Sequence, residues 1–477
     1  MNTLCWLPRS ATRLAVATLL FATLLLGTAF PTPAQPALLD PPTTAQLAAY
    51  VRQFAQAGRF SGTVLVADQG QVLLTQGYGL ADQGRREANT PATRFRIGSL
   101  SKQFTAVLVL QLVEQGQLKL DGPVADYLPD YPLPAGRQIT LHQLLSHTAG
   151  LPDFTRLPAF AELARQPRTP AQLVASFAQE PLEFAPGTRF AYSNSGYVLL
   201  GAILERVTGQ PYGHLLRERI TRPLRLTATS YDLELPTGPG RATGYGSGAD
   251  SLTAAFALDP TLAYAAGGIT STAPDLYRWS QALEGNKLLS AASRQRLFAP
   301  VRNHYAYGWL ALTTALGADS VRTQEHNGAI NGFTALLVRV PQRRQCLVLL
   351  DNHADPTLPE LRRGLLRLLH QLPASASLIA GRPTATGPGA PTTAQLAAYV
   401  GVYELAPTFR ITVRARGGQL YVQATGQQEF ATDATTAALF TLRGVPAQVE
   451  FVADAQGRVG QLMLHQGGHD TPAPRLE

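Results

Sequence analysis

The chain has 477 residues, of which 45% are hydrophobic and 15% are charged, and its formal net charge is +8. This composition is typical of a globular protein and excludes a largely disordered chain, and the length is sufficient for two domains. The basic residues are scattered and form no basic run, so the charge does not predict binding to nucleic acid.

The N-terminal segment is typical of an export signal. Arg9 and Arg13 precede an uncharged apolar run over residues 14–30, and prolines follow it. This pattern predicts a signal peptide over residues 1–34, cleaved after Ala34, and export to the periplasm or the cell exterior. The run is long for a signal core and short for a spanning helix, so a retained N-terminal membrane anchor is the second interpretation. Cleavage would leave Cys346 as the only cysteine of the mature chain, which excludes an internal disulfide.

The first predicted elements are a helix and a hairpin. Apolar residues recur at helical spacing over residues 43–54. Residues 62–67 and 72–76 are strand-like, and Asp68-Gln-Gly70 between them favours a tight turn. We therefore expect a helix followed by two antiparallel strands.

A serine and a lysine three residues apart open the next predicted helix, which extends to Gly116. If this helix begins at Ser99, the Ser99 hydroxyl and the Lys102 amine lie on one face, one turn apart. The helix N-terminus also favours an oxyanion, and a lysine with a lowered pKa can accept the serine proton. A plainer interpretation makes Ser99 a helix cap and Lys102 a solvated charge. Only three of the 40 basic residues are lysines, and arginine cannot act as a base, which favours the chemical interpretation.

The middle of the chain carries a second polar motif. A short apolar helix is predicted over residues 139–145, followed by Ser146-His-Thr-Ala-Gly150. Residues 151–235 are predicted to be mostly helical, and Tyr192-Ser-Asn194 lies just before the clearest helix there, over 197–207. Tyr192 as a phenolate would be a base, and the Asn194 amide would contact substrate or lysine. A core tyrosine beside a capping asparagine is the plainer alternative.

The third motif is His326-Asn-Gly328. Taken alone it would usually be a turn before a strand. After the two earlier motifs, it is interpreted as His-x-Gly entering a strand. A glycine-rich loop over 238–248 and a helix over 274–283 precede it. Strands are predicted over 307–312, 333–340 and 345–350, and a helix over 358–372 closes this part of the chain.

The C-terminal part is predicted to form a separate small domain. Residues 373–392 are rich in Pro, Ala, Gly, Ser and Thr and are predicted to be a linker. Strands at regular spacing then predict a small all-β domain over 393–477; they cover residues 410–414, 419–424, 438–442, 449–452 and 459–464. One ten-residue segment occurs twice, at 42–51 and 391–400, but the flanking sequences share nothing, so we do not interpret it as a structural repeat.

In the order Ser-x-x-Lys, Tyr-x-Asn and His-x-Gly, the chain resembles serine hydrolases of the class C β-lactamase and D-alanyl-D-alanine carboxypeptidase superfamily. It is most similar to the His-x-Gly branch, which includes carboxypeptidases, D-aminopeptidases and esterases. The resemblance covers about residues 43–372. Further similar segments are Leu120-Asp-Gly-Pro-Val124, Leu144-Leu-Ser-His-Thr-Ala-Gly-Leu151, Pro186-Gly-Thr188 and Ala266-Gly-Gly-Ile-Thr-Ser271.

The resemblance implies a role for each motif residue. Ser99 would be the acylated nucleophile, and Lys102 would take its proton with the help of Tyr192. Asn194 would position substrate and lysine, and His326 would occupy the cationic position of the third motif. The backbone N–H groups of Ser99 and of Ala329, which follows Gly328, would form the oxyanion hole.

The resemblance also implies an α/β (α+β) β-lactamase/transpeptidase-like fold. Its antiparallel sheet would be made from both chain ends, flanked by helices and joined to an inserted helical domain. The C-terminal domain resembles the barrel-like extensions of some members. Histidine in place of lysine at 326 argues against a dedicated β-lactamase, and no acidic residue stands out as the deacylating base of class A enzymes. Deacylation would then use Tyr192 and a water.

The first functional interpretation is therefore an exported serine hydrolase that acts through an acyl-enzyme. Its substrate would be a small molecule or a peptidoglycan-derived peptide, with D-amino-acid peptides or amides and carboxylic esters as the two candidate classes. No metal or cofactor is expected, and neither nucleic acid nor a protein partner is indicated. The alternative is a catalytically weak cell-wall or peptide-binding protein whose site only binds.

Overall fold

The structure is a computed structural model that describes residues 43–374 and 391–476. Gaps within these ranges fall at 159, 165, 235–237, 248–251, 256–257, 317–318, 354–356, 407–408, 426–428, 443–446, 455 and 467–468. The predicted signal peptide and residues 375–390 of the predicted linker lie outside the described residues. No helix within the described ranges is long and apolar enough to cross a membrane.

The strands before the C-terminal domain are β1 Gly62–Asp68, β2 Gln71–Tyr78, β3 Leu80–Asp82, β4 Glu87–Ala88, β5 Phe95–Arg96, β6 Ser230–Tyr231, β7 Tyr245–Ser247, β8 Leu252–Ala254, β9 Ile269–Ser271, β10 Leu310–Leu316, β11 Asp319–Ile330, β12 Phe333–Val340 and β13 Gln345–Asp351. The C-terminal strands are β14 Gly401–Ala406, β15 Phe409–Arg416, β16 Gln419–Ala424, β17 Glu429–Ala434, β18 Leu439–Leu442, β19 Ala447–Ala453, β20 Val459–Gln466 and β21 His469–Leu476.

The α-helices are α1 Thr44–Gln56, α2 Ser101–Glu114, α3 Val124–Tyr127, α4 Ala135–Gln138, α5 Leu141–Leu145, α6 Phe160–Leu163, α7 Pro170–Ala175, α8 Asn194–Thr208, α9 Tyr212–Leu216, α10 Arg222–Leu224, α11 Pro260–Gly267, α12 Ala273–Ala282, α13 Ala291–Phe298, α14 Leu358–Leu369 and α15 Thr393–Tyr399. Residues 151–235 carry several of these helices, but residues 176–193, which the sequence places in a mostly helical region, contain turns and extended segments only.

A six-stranded antiparallel sheet lies at the centre of the first domain, in the order β10-β11-β12-β13-β1-β2. Strands β1 and β13 pair with Gly62 opposite Asp351, so the two ends of this domain meet in the middle of the sheet. Their side chains alternate between two hydrophobic cores, as the twofold period of a strand requires. The predicted fold is confirmed: an antiparallel sheet from both chain ends, flanked by helices.

One face of the sheet is covered by α1 and α14, whose apolar side chains share a core with the strands. The other face packs against the helical region that is inserted between β2 and β10. Helix α2 lies inside this second core, where every residue from Ser101 to Leu110 is buried. Phe104 stacks on Trp279 with 4.1 Å between ring centroids. Because α2 is enclosed on all sides, it is a rigid support for the residues at its N-terminal end.

The C-terminal domain is a closed barrel of eight antiparallel strands, β14 to β21, with β14 also paired to β21. The predicted all-β domain is confirmed, although the sequence indicated only five of these strands. Closure leaves no unpaired sheet edge. The barrel has its own core, in which Tyr399 stacks on Phe451 at 4.2 Å, while Tyr403 and Val449 are fully buried.

Candidate active site

Ser99 lies in a 3-10 turn, Gly98–Leu100, that leads directly into α2. The motif therefore lies in a helical turn, but the α-helix itself begins at Ser101, two residues after the predicted start. Gly98 has a φ of +51°, and a Cβ there would come within 3.0 Å of the Ala329 backbone. Glycine is required on both counts, because other residues are strained at positive φ and would displace the facing strand.

Lys102 is fully buried, and its amine has three oxygen neighbours. Its Nζ lies 3.1 Å from Ser99 Oγ, 2.8 Å from Asn194 Oδ1 and 2.8 Å from the backbone oxygen of Ala266. A neutral amine would donate its two hydrogens to Asn194 and Ala266 and point its lone pair at Ser99. An ammonium would donate to all three. The same geometry would therefore serve Lys102 before and after a transfer of the serine proton.

The electrostatics of the site favour that exchange. Burial lowers the pKa of Lys102 to about 7, against an opposing effect of the Asp153 carboxylate. A lysine with this pKa is partly neutral near pH 7, which is the condition for a general base.

The Ala266 carbonyl comes from the last turn of α11, where helix carbonyls lack intrahelical partners. Tyr264 in the same helix has a φ of +36° and a ψ of −134°, so the helix is kinked there. Beyond the kink, Ala265 accepts a hydrogen bond from Thr105 Oγ1 and Ala266 accepts one from Lys102. The strained backbone thus turns two carbonyls toward α2.

Asn194 is the first residue of α8, and its side chain is held at both ends. Its Oδ1 accepts from Lys102, and its Nδ2 donates to Asp153 Oδ2 at 3.0 Å. Asp153 is 5% exposed and was not recognised from the sequence. The signal for it was the Asp-x-Thr sequence that caps a short turn, which says nothing about a residue 41 positions further on.

Tyr192 stands over the lysine in the extended segment before α8. The Lys102 amine lies 4.9 Å from the Tyr192 ring centroid, and the Tyr192 hydroxyl lies near the Ser99 side chain. Burial raises the pKa of Tyr192, and its interaction with the Ser99 side chain opposes that rise. The hydroxyl is therefore protonated at neutral pH, so the expected resting phenolate is not found and Lys102 is the stronger candidate base.

His326 lies inside strand β11. It is not in the turn that is usual for such a motif taken alone. Its Nδ1 is 2.5 Å from the backbone oxygen of Asn327, and its Nε2 is 2.9 Å from the Tyr305 hydroxyl. A carbonyl only accepts, so Nδ1 carries a hydrogen, and in the neutral ring Nε2 accepts from Tyr305.

Burial and the nearby Lys102 lower the pKa of His326 to about 4. The imidazole is therefore neutral at neutral pH, and the expectation of a cation at this position is corrected. His326 lies beside the site, as the motif predicts, but it does not carry the positive charge expected at this position.

Gly328 and Ala329 place β11 against the Ser99 turn. A Cβ on Gly328 would overlap the carbonyl oxygen of Ile97 and come within 3.3 Å of the Ser99 nitrogen. The absence of a side chain thus allows the strand and the turn to touch through their backbones. This contact brings the N–H groups of Ser99 and Ala329 into the same neighbourhood.

His147, from the Ser146-His-Thr-Ala-Gly150 motif, supports the rings around the site. Its ring centroid is 4.2 Å from that of Tyr192 and 4.7 Å from that of Tyr305. Nδ1 accepts from the Ser193 backbone N–H at 3.2 Å, and burial lowers the pKa of the imidazole well below its usual value. His147 is thus a neutral ring that fixes the orientation of Tyr192, a role that the sequence did not show.

The structure brings together Ser99, Lys102, Tyr192 and Asn194 through direct contacts, with Gly328 and Ala329 against the Ser99 turn. His326 joins them through ring packing, 6.3 Å from Tyr192 between centroids. Within the described ranges, no group of three or more His, Cys, Asp and Glu side chains is arranged to hold a metal ion.

Two protein families match the chain in sequence. Residues 47–372 match the Beta-lactamase family. Residues 385–474 match a domain of unknown function, DUF3471. The catalytic candidates all lie in the first segment.

Comparisons with individual proteins agree with the family match. Penicillin-binding protein 4* of Bacillus subtilis is 27% identical over 440 residues, which cover 88% of this chain and 96% of that protein. The octameric penicillin-binding protein homologue from Pyrococcus abyssi has a similar fold, with a TM-score of 0.62 over 90% of this chain and 99% of that one, at 22% identity. The D-amino acid amidase from Ochrobactrum anthropi is 26% identical, with a TM-score of 0.55 over 64% of this chain and 92% of that one.

Proposed function

The chain belongs to the β-lactamase family of serine hydrolases, and we propose that it cleaves D-amino-acid amides and peptides or carboxylic esters through an acyl-enzyme on Ser99. The observation that carries this proposal is the buried Lys102 amine, held by Asn194 and Ala266 with its third direction toward Ser99 Oγ. A purely structural lysine would have no need of a lowered pKa or of contact with a half-buried serine.

In the proposed first half-reaction, Ser99 Oγ attacks the substrate carbonyl carbon while its proton passes to neutral Lys102. The N–H groups of Ser99 and Ala329 stabilise the oxyanion. The C–N or C–O bond to the leaving group then breaks, and the amine or alcohol takes the proton from Lys102, relayed by the Tyr192 hydroxyl. This relay suits a protonated tyrosine whose hydroxyl lies near the Ser99 side chain.

In the second half-reaction a water attacks the acyl-enzyme. Its proton passes through Tyr192 to Lys102, and the ester bond to Ser99 breaks. Ser99 Oγ takes a proton back from Lys102, and the carboxylic acid product leaves. Each turnover therefore adds one water across the scissile bond and restores the neutral lysine.

The neutral His326 supports a choice between substrates. A carboxylate bound beside an uncharged, buried imidazole would lose its hydration without gaining a cation. Substrates that present an amide or ester there should therefore be preferred over peptides that end in a free carboxylate. The similarity to a D-amino acid amidase agrees with this preference.

Export is part of the proposal and is supported by the sequence of residues 1–34, with an N-terminal anchor as the other outcome. A peptidoglycan-derived amide or ester would be available to such an enzyme. Comparison of the mass of the purified mature protein with that of the full chain tests whether the segment is removed.

The function is tested with two dipeptides that differ only at the C-terminus, D-alanyl-D-alanine amide and D-alanyl-D-alanine, beside a p-nitrophenyl ester and a chromogenic cephalosporin. We expect hydrolysis that Ser99→Ala abolishes. We also expect kcat/KM for the dipeptide amide to exceed that for the acid by about tenfold or more, because a charge-assisted bond contributes roughly 1.5–3 kcal/mol.

His326→Lys is the matched variant for the carboxylate preference. The ratio between amide and acid should fall in this variant, and the ratio is unaffected by a general loss of activity. Equal hydrolysis by wild type and Ser99→Ala would contradict the proposal. Binding of the peptides without turnover of any substrate would favour the alternative of a binding protein.

A further inference from the structure

The Asp153 carboxylate links the side-chain amide of Asn194 to the short turn Phe154–Arg156. Its Oδ1 accepts from the backbone N–H of Thr155 at 3.0 Å and from the Thr155 hydroxyl at 2.9 Å. Its Oδ2 accepts from Asn194 Nδ2 at 3.0 Å. Asn194 in turn accepts from Lys102, so a continuous path of hydrogen bonds joins Asp153 to the lysine.

We propose that Asp153 is a positioning residue that acts on Lys102 through the Asn194 side chain, an inference that rests on the proposed function. An asparagine amide has one acceptor and one donor end, and the site needs the acceptor end toward Lys102. By accepting from Nδ2, Asp153 fixes the amide in that orientation. With the amide reversed, two donors would face each other at the lysine.

Only a carboxylate satisfies both sides of this position. Asp153 faces donors on both oxygens, from Thr155 on one side and from Asn194 on the other. An asparagine in its place would turn an NH₂ toward one of them. Either the cap of the turn Phe154–Arg156 would lose its acceptor, or the Asn194 amide would be driven to reverse. The isosteric change Asp153→Asn is therefore disruptive although it alters no volume.

The charge of Asp153 has a second effect on the same lysine. The described groups that face Lys102 are the Tyr192 and Tyr197 rings and the imidazoles of His147 and His326, and burial makes both imidazoles neutral. Asp153 opposes the lowering of the Lys102 pKa by burial. Its negative charge thus favours the ammonium that forms when Ser99 gives up its proton.

The test measures how fast a fluorophosphonate inactivates the enzyme across a pH series. In this step the P–F bond breaks, a P–O bond to Ser99 forms, fluoride leaves and the serine proton passes to Lys102. The rate therefore reports on the serine and lysine without a known substrate. We compare wild type with Asp153→Asn and with Asp153→Ser, because serine also caps a helical turn but carries no charge.

Asp259 offers a matched control. Its Oδ1 accepts from the Thr261 N–H at 2.9 Å and from the Thr261 hydroxyl at 2.6 Å, as Asp153 does with Thr155. It caps the first turn of α11, ahead of the kink at Tyr264, and its side-chain hydrogen bonds go to Thr261 and not to Asn194 or Lys102. The variants Asp259→Asn and Asp259→Ser therefore lose the same kind of cap without removing a side-chain contact to Asn194 or Lys102.

Both Asp153 variants should be inactivated about tenfold more slowly or worse at neutral pH. The inactivation rate rises with pH, and the midpoint of this rise should decrease by roughly one pH unit. The lysine loses a nearby opposite charge, which lowers its pKa. The Asp259 variants should keep the wild-type midpoint. In an Asn194→Ala background, Asp153→Asn should slow inactivation by a smaller factor than it does alone. The reason is that Asp153 acts on Lys102 through Asn194.

The outcomes separate this inference from the proposed function. If wild type is labelled on Ser99 and both Asp153 variants keep the wild-type rate and midpoint, the inference is wrong and the function stands. A slower rate with an unchanged midpoint that the Asp259 variants share would also overturn it, since that is the effect of a lost cap. If wild type is not labelled on Ser99, the proposed function fails and the inference fails with it.

Discussion

At the scale of single residues, the lowered pKa of Lys102 makes a prediction about pH. Only the neutral amine accepts the serine proton, and its pKa is about 7. Activity should therefore rise as pH increases through about 7 and level off above it, which is the opposite of the behaviour of a lysine that acts as a cation. The measurement is kcat/KM for a neutral ester against pH, since this substrate does not titrate.

Lys102→Arg is the control, because arginine keeps the positive charge but does not release it. Its activity should fall on the order of 10² to 10⁴, as for loss of a general base. Near-normal rates in Lys102→Arg would show that the lysine is structural.

The sequence predicted the residues whose partners are close along the chain or belong to a motif. Ser99 and Lys102 were found from a three-residue spacing on a helix. Asp153, His147 and Tyr305 were missed because each acts through a contact with a distant segment. The expectation of a positive charge on His326 was wrong. The charge depends on burial and on the proximity of Lys102, and the motif contains neither.

At the scale of elements, strand β11 shows why one part of the sheet could not be predicted. Its sequence, Asp319–Ile330, is polar and lacks the apolar alternation of a half-buried strand. In the structure its polar side chains are paired: Glu325 with Arg362 and Gln324 with Arg339. Three-dimensional partners, and not hydrophobicity, thus allow this strand to lie in the sheet.

The contact between β11 and the Ser99 turn makes a prediction for Gly328→Ala. The added methyl group would overlap the Ile97 carbonyl, and the strand and the turn would move apart. Overpacking of this kind costs about 1–3 kcal/mol of stability. Activity should fall further, toward the roughly 10²-fold loss that follows removal of one oxyanion-hole donor.

Gly460→Ala is the matched control, since Gly460 is also a strand glycine but a Cβ there would meet nothing within 4 Å. The thermal midpoint and the ester hydrolysis rate should be measured for both variants. If Gly328→Ala hydrolyses the ester as fast as Gly460→Ala, the close approach of β11 is not required for catalysis.

The repeated ten-residue segment shows how far a local pattern determines an element. Both copies begin a helix with the same capping box, Thr43 with Gln46 and Thr392 with Gln395. The first helix has 13 residues and packs against the large sheet, whereas the second has 7 and ends at the barrel. The cap is local and repeats, but length and packing follow from surroundings that the two copies do not share.

At the scale of the whole molecule, the fold could be predicted because the motifs identify a family whose architecture is known. The number of barrel strands could not be predicted. Strands β17 and β21 have polar or proline-containing sequences that give a weak strand signal, and β14 is a six-residue strand that follows α15 almost directly. The sequence does not predict that α2 is enclosed by other elements on all sides. That enclosure makes Lys102 a buried amine with a lowered pKa and not a surface charge.

We propose that Ser99 is the nucleophile of a hydrolase. Mass spectrometry of the intact protein and of its peptides after incubation with a fluorophosphonate tests it most directly. We expect one adduct per chain, located on Ser99 and absent from Ser99→Ala. An adduct on another residue, or one that persists in Ser99→Ala, would contradict it.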